Sequence, residues 1–157
     1  MNSPKRIGFV GGWGHHYSQG FPSADASIAS AVCGDGYDEN AAKSVCARLK
    51  AEWYESFDEM LNTFHPDLVS VGSVYGKAGQ FIIQALDANL PVVSDKPIAA
   101  DWETFHTIQR VANSRPCSLV TEYDMRARPE FRGARSVPER DLPTQRSTWR
   151  RSRRVGG

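Results

Sequence analysis

The fold of this chain is decided by the stretch Ile7-Gly8-Phe9-Val10-Gly11-Gly12-Trp13-Gly14-His15-His16. Its apolar beginning predicts a short buried strand, and its glycines predict a tight turn directly after that strand. A strand that leads into a glycine-rich turn lets the backbone approach a phosphate closely, with the amide groups of the turn directed at the anion. The same pattern also makes an ordinary turn, so the rest of the chain has to distinguish the two.

The composition is that of a globular protein of one domain. The 157 residues are 40% hydrophobic and 24% charged, which is enough apolar material for one core. No apolar run approaches the roughly 20 residues of a membrane span, and the N-terminus lacks the apolar segment of a secretory signal. We therefore expect a cytoplasmic protein with no membrane partner.

The cysteines and histidines do not form the pattern of a metal site. Cys33, Cys46 and Cys117 are widely spaced, and their odd number argues against a disulfide framework. His15 and His16 have no third ligand at a suitable spacing. We expect no metal.

The net charge of +1 hides a division of charge along the chain. Up to Met125 there are 9 Lys and Arg residues against 15 Asp and Glu, a net charge of −6, whereas residues 126–157 carry 10 arginines against 3 acidic residues. A block of arginine is normally solvated and disordered, although it also attracts polyanions. Only Trp149 accompanies the last arginines as an aromatic residue, and the acidic body opposes wrapping by a polyanion, so nucleic acid is an unlikely partner.

Strands and helices alternate through the first 123 residues. Apolar runs predict four further strands, and helical periodicity and capping residues predict four helices. The strands are expected at 28–33, 68–72, 91–94 and 118–123, and the helices at 38–51, 56–64, 77–88 and 101–112. This alternation is typical of a parallel sheet covered by helices on both faces. We expect an α/β fold of the Rossmann type, with a doubly wound parallel sheet in three α/β/α layers.

Candidate site residues follow the carboxyl ends of the predicted strands, where ligands bind in folds of this class. Their convergence favours the phosphate-binding interpretation of the first turn. The candidates are Gly11, Gly12, Trp13, Gly14 and His15 at the first strand, Asp35 at the second, Ser73 at the third, Asp95, Lys96 and Pro97 at the fourth, and Glu122 at the fifth.

Asp35 lies 24 residues after Gly11, near the interval of about 20 residues at which an acidic side chain reaches the ribose hydroxyls of an adenosine. A carboxylate there accepts both hydroxyl hydrogens and repels a 2′-phosphate, so NAD is favoured over NADP. The alternative is a turn aspartate, because Gly-Asp-Gly is also good turn chemistry.

Lys96 directly follows a predicted strand and precedes a proline. An ammonium group at this edge is suited to bind a carboxamide or a substrate hydroxyl. The alternative is a surface lysine paired with Asp95. For His15 and His16 the alternatives are a contact with a phosphate and an ordinary polar position in a loop.

At this point the chain resembles the N-terminal half of the Gfo/Idh/MocA oxidoreductases, the glucose-fructose oxidoreductase and inositol dehydrogenase type. The most specific likeness is Asp95-Lys96-Pro97, which is similar to the E-K-P motif of the family, although Asp95 replaces the usual glutamate and Trp13 stands where a glycine is expected. In the family this lysine lies at the nicotinamide and the substrate, so the resemblance implies that Lys96 is the catalytic residue. The likeness also includes 6–11, Asp35 with Ala41, 66–71, 85–86, 92–99, 122–126 and Pro129.

The resemblance also implies a division of the chain. Residues 5–135 correspond to a dinucleotide-binding Rossmann domain, and family members continue into a second domain that supplies much of the substrate pocket. Residues 136–157 lose apolar periodicity and form an arginine-rich segment. We expect this segment to be disordered and to be a truncated or frameshifted end.

The resemblance implies an NAD(P)-dependent oxidoreductase that acts on the CH–OH group of a sugar, polyol or similar substrate. Without the second domain, we expect the chain to bind a nicotinamide dinucleotide with little or no turnover. The alternative is a non-catalytic sensor or regulatory module that binds the dinucleotide.

Overall fold

One six-stranded sheet organises the part of the chain that the structure, a computed structural model, describes: residues 4–13 and 27–122. All neighbouring strands pair in parallel. The strands are β1 (Lys5–Gly11), β2 (Ile28–Cys33), β3 (Glu52–Tyr54), β4 (Leu68–Gly72), β5 (Val92–Ser94) and β6 (Leu119–Thr121). Their order across the sheet is β3-β2-β1-β4-β5-β6. The strand order therefore reverses between β1 and β4, which is where ligands bind in doubly wound sheets.

The helices connect successive strands, and three of them begin at a polar side-chain cap. They are α1 (Glu39–Leu49), α2 (Phe57–Glu59) with the π-helical turn Met60–Phe64 that continues it, α3 (Ala78–Asp87) and α4 (Trp102–Ser114). The side chains of Asp38, Ser56 and Asp101 each accept a hydrogen bond from a backbone N–H in the first turn of the helix that follows. These bonds satisfy amide groups that have no partner within the helix. The predicted helices are confirmed, with ends displaced by a few residues.

The strand β3 is absent from the sequence-based prediction, which has five strands. Its three residues show no apolar alternation, and the strand forms because β2 offers it an edge, from Ala31 opposite Glu52 to Cys33 opposite Tyr54. A pairing of this kind depends on the neighbouring strand rather than on local periodicity. The arginine-rich segment 136–157 and the predicted domain end at 135 lie outside the described residues.

Two apolar clusters occupy opposite faces of the sheet. Side chains alternate along β1, so that Phe9 joins one cluster and Val10 the other. One face is covered by α1 through Ala42, Val45 and Leu49. The other is covered by the residues of α2, its π-helical continuation, α3 and α4, which include Phe57, Met60, Ile82, Leu86 and Ile108. The doubly wound α/β/α fold is therefore confirmed.

None of the described helices is long and apolar enough to cross a membrane.

Replacing the cap of α2, Ser56→Ala, should lower the free energy of unfolding by about 1 kcal/mol, because the Glu59 amide loses its partner at 3.1 Å. Chemical denaturation followed by circular dichroism measures the change. The matched control is Ser44→Ala, which removes a hydroxyl that bonds the Asn40 carbonyl inside α1 and should be neutral or slightly stabilising. An equal loss in both variants would show that the cap does not carry the effect.

Candidate functional site

The turn after β1 is held between the end of β4 and the beginning of α1. Gly11 has a φ of +73°, and a Cβ atom on Gly12 would overlap the backbone of Ala41. The Trp13 amide donates to the Gly72 carbonyl at 2.8 Å. Glycine is required at Gly12 because the first turn of α1 occupies the space that a side chain would need.

The side chain of Trp13 strengthens this arrangement. Its indole Nε1 donates to Asp38 Oδ2 at 3.0 Å, while the other carboxylate oxygen of Asp38 accepts from the Ala41 amide at 3.0 Å. The indole is 51% exposed, so it covers the site without being buried in the core. One aspartate thus fixes both the helix start and the aromatic ring beside the glycine turn.

Asp35 lies between the ends of β2 and β4 and is only 4% exposed. Its Oδ2 accepts from the Ser73 hydroxyl at 2.8 Å and from the Val74 amide at 2.9 Å. Its Oδ1 accepts from the amides of Tyr37 and Asp38 at 2.9 and 3.1 Å. All four bonds are internal to the protein, so the carboxylate joins two strand ends.

The ionised form of Asp35 is favoured in the folded protein. Burial by itself would raise its pKa, but the hydrogen bonds from the Val74, Asp38 and Tyr37 amides and the Ser73 hydroxyl outweigh that effect and hold the pKa below its usual range. Hydrogen bonds to a charged acceptor are stronger than neutral ones. The Asp35 carboxylate is therefore a charged crosslink at neutral pH.

A cavity of about 190 Å³ lies at the carboxyl ends of β1, β4 and β5. Five of the predicted residues meet there, from three separate strand ends. The residues that line it are Trp13, Val71, Ser73, Tyr75, Ala78, Asp95, Lys96 and Pro97.

Lys96 is held at the rim of this cavity by its neighbour. The Lys96 amide donates to Asp95 Oδ1 at 2.9 Å, and the ammonium Nζ lies 3.5 Å from the same oxygen. The lysine side chain is 42% exposed and the aspartate side chain 16%, so the cation faces solvent. The Lys96–Pro97 peptide bond is cis. The ion pair between Lys96 and Asp95, which the sequence offered as an alternative, is present.

The other predicted residues either do not line the cavity or lie outside the described residues. Glu122 follows β6, where its amide bonds the Ser94 carbonyl at 2.9 Å, and it is not among the residues that line the cavity. Gly14 and His15 lie outside the described residues.

Tyr75 is a cavity residue that the sequence analysis missed. It is 76% exposed although it is a large aromatic residue, and it lies in the loop between β4 and α3. The signal available in the sequence was an aromatic residue in the loop after a predicted strand.

The described residues contain no cluster of metal-binding side chains, and the Cys33 thiol near Asp35 is buried. Residues 4–13 and 27–122 contain no group of three His, Cys, Asp or Glu side chains that could hold a metal ion. Burial, together with the nearby carboxylates of Glu39 and Asp35, raises the pKa of the Cys33 thiol to about 12. This thiol is therefore protonated at neutral pH and unreactive as a nucleophile.

Comparisons with known proteins agree with the fold described above. Residues 5–123 match the Gfo/Idh/MocA family model, described as an oxidoreductase family with an NAD-binding Rossmann fold. A search of curated protein sequences returned no match.

Several solved structures share the fold at low sequence identity. Myo-inositol 2-dehydrogenase from Lactobacillus plantarum is 20% identical, with a TM-score of 0.70 over 84% of this chain and 40% of its own. The WlbA dehydrogenase from Bordetella pertussis, in complex with NADH and UDP-GlcNAcA, is 21% identical, with a TM-score of 0.65 over 80% of this chain and 37% of its own. KijD10, a 3-ketoreductase from Actinomadura kijaniata in complex with NADP, is 22% identical, with a TM-score of 0.67 over 84% of this chain and 42% of its own. The chain thus spans about two fifths of the length of these proteins.

Replacing the crosslink, Asp35→Asn, should lower the free energy of unfolding at pH 7 by about 2 kcal/mol, because an amide presents a donor to groups that are themselves donors. The Asp35 pKa is depressed below its ordinary 3.8, so its stabilisation is present above pH 3.8 and is lost as the pH falls through the folded-state value. The difference between wild type and variant should therefore shrink below about pH 4. Urea denaturation at several pH values measures it, and a difference independent of pH would contradict the prediction. Ser73→Ala, which removes one of the four bonds, should cost less than Asp35→Asn.

Proposed function

This chain belongs to the Gfo/Idh/MocA oxidoreductase family, and we propose that it forms the NAD(H)-binding part of an enzyme that transfers hydride between a nicotinamide and a sugar, polyol or similar carbon. The observation that carries the proposal is the cavity at the reversal of strand order. There, Trp13, which directly follows the two glycines after β1, and Lys96, which follows β5, line one cavity. A dinucleotide has a charged centre and a reactive end, which these two features match.

The glycine turn fits the pyrophosphate. Gly11 and Gly12 have no side chain to separate the backbone from an anion, and the packing of Gly12 on Ala41 requires that absence. Trp13 would cover the phosphates from the solvent side, and Gly14 and His15 would complete the turn, as their sequence positions suggest. The bound dinucleotide would supply the hydride chemistry.

NAD(H) is favoured over NADP(H) in this proposal. The loop that follows β2 contains three carboxylates, Asp35, Asp38 and Glu39, and no Lys or Arg between residues 34 and 41. A 2′-phosphate would bring a further negative charge to this loop. The Lys77 ammonium lies against this loop, 4.9 Å from the centre of the Tyr37 ring.

Lys96 is the residue we assign to the reacting end. Its ammonium would donate a hydrogen bond to the oxygen of the carbon that is oxidised or reduced, and it would hold that oxygen beside the nicotinamide. Asp95 fixes the lysine through its amide and its ammonium, while Ser73 and Pro97 form the neighbouring walls. Glu122 is assigned to the outer rim, beyond β6.

A sugar or polyol substrate is supported by two of the similar proteins, an inositol dehydrogenase and a dehydrogenase bound to UDP-GlcNAcA. Such substrates carry the CH–OH group that a nicotinamide oxidises. We propose a cytoplasmic location, where free nicotinamide dinucleotides are available.

The 157-residue chain covers about 40% of the length of those proteins, so we propose that it binds the dinucleotide with little turnover by itself. The same observation favours a second candidate function. In that function the chain is a sensor that binds the dinucleotide and catalyses nothing, and the Lys96 cavity serves recognition only.

Dinucleotide binding is tested by isothermal titration of the full chain with NADH. We expect saturable heat with a Kd in the micromolar range, together with quenching of tryptophan fluorescence because Trp13 borders the turn. Gly12→Val is the informative variant, since its side chain would collide with Ala41, and it should lose binding. Absence of heat from the folded wild-type chain at high micromolar concentration would refute the proposal.

The role of Lys96 is tested by Lys96→Gln in steady-state assays with NAD and a panel of polyols and sugars. NADH affinity should stay within about threefold of wild type, while any slow hydride transfer by the wild-type chain should disappear. Lys43→Gln on α1 is the control, because this lysine contacts the Trp53 ring away from the cavity. Clear NADH binding without turnover in the wild type would favour the sensor.

A further inference from the structure

The Asp35 carboxylate is poorly placed to bind a ribose. It is 4% exposed, and both of its oxygens already accept two hydrogen bonds each from the protein. To bind a pair of hydroxyl groups it would have to give up the bonds that join β2 to β4. Exchanging four internal bonds for two to a ligand is unfavourable.

A second carboxylate lies at the end of β2. Gly34 directly follows the last residue of the strand, and the space that a Gly34 side chain would fill is occupied by the carboxylate of Glu39. Glu39 is the first residue of α1, and it is exposed. The chain therefore presents an acidic group at the tip of β2, although the residue at that position has no side chain.

The other acidic residue of the loop is already used. Asp38 accepts from the Ala41 amide and from the Trp13 indole, so both of its oxygens have partners. Glu39 has no hydrogen bond or ion pair with any of the residues 4–13 and 27–122. Asp35 has no acceptor site left and Asp38 has one left on each oxygen, whereas both oxygens of Glu39 keep their full capacity to accept from a ligand.

We propose that Glu39 binds the hydroxyl groups of the adenosine ribose and sets the preference for NAD(H), whereas Asp35 positions the loop. This inference rests on the proposed function and names the specificity-determining residue of that site. A carboxylate accepts hydrogen bonds from both ribose hydroxyls and repels a phosphate at the 2′ position. Because Gly34 has no side chain, the Glu39 carboxylate can lie at the end of β2 although Glu39 itself belongs to α1.

The test compares Glu39→Gln with the wild-type chain by titration with NADH, NADPH and 2′-deoxy-NADH. Wild type should bind NADH at least tenfold more tightly than either analogue. Glu39→Gln should bind NADH about tenfold more weakly than wild type, and its preference over NADPH and over 2′-deoxy-NADH should largely disappear.

Two further variants separate the ligand contact from effects on folding. Glu103→Gln is the matched control, because Glu103 is also an exposed acid in the first turn of a helix; it should leave all three affinities unchanged. Asp35→Asn should weaken the binding of NADH and of NADPH by the same factor, because it removes internal hydrogen bonds of the loop and no contact with the ribose. Thermal unfolding of each variant confirms that the titrated protein is folded.

The outcomes are distinct. An unchanged ratio of NADH to NADPH affinity in folded Glu39→Gln would overturn this inference, and so would a change of that ratio in Asp35→Asn alone. Wild-type protein that binds neither dinucleotide would refute the proposed function, and this inference with it. Binding of NADH by wild type with no change in Glu39→Gln would leave the proposed function intact while refuting the role of Glu39.

Discussion

The arrangement of the site depends on one buried charge. The Asp35 carboxylate receives four hydrogen bonds and connects the loop after β2 to the loop after β4, so it spans the end of β1 between them. A charged acceptor with several backbone donors is a strong local constraint, because each donor would lose its partner in the protein without it. This group fixes the positions of Ser73 and of the beginning of α1, and through α1 that of the glycine turn.

The packing of the turn follows from the same constraint. Asp35 fixes the amide of Asp38, and Asp38 in turn caps α1 and accepts from the Trp13 indole. The start of α1 then lies against Gly12. Each of these links is a hydrogen bond or a direct backbone contact. Together they determine the geometry of the site.

Much of the fold follows from local patterns in the sequence. The apolar runs of β1, β2 and β4 and the periodicity of α3 and α4 are strong, and the rule that ligands meet at the carboxyl ends of parallel strands correctly groups Trp13, Ser73 and Lys96. Local patterns do not reveal β3, which depends on the edge of β2, or the exposure of Tyr75. They also do not reveal which way Asp35 points, since an aspartate between two glycines suits a turn and a ligand equally. The approach of Glu39 to Gly34 depends on the path of the intervening loop, and a path of that kind has no periodic signature.

The contact between Gly12 and Ala41 has a consequence for how such a domain can evolve. Since the turn and the helix beside it interlock through backbone atoms, neither can shift to suit a different ligand without the other. The half of the site formed by β1, β2 and α1 is therefore constrained by backbone packing to change as one unit. The loops after β4 and β5 meet the cavity through the side chains of Ser73, Tyr75 and Lys96, which can be exchanged one at a time. Point mutations can therefore reshape one side of the cavity, while the other side is held in place by backbone packing.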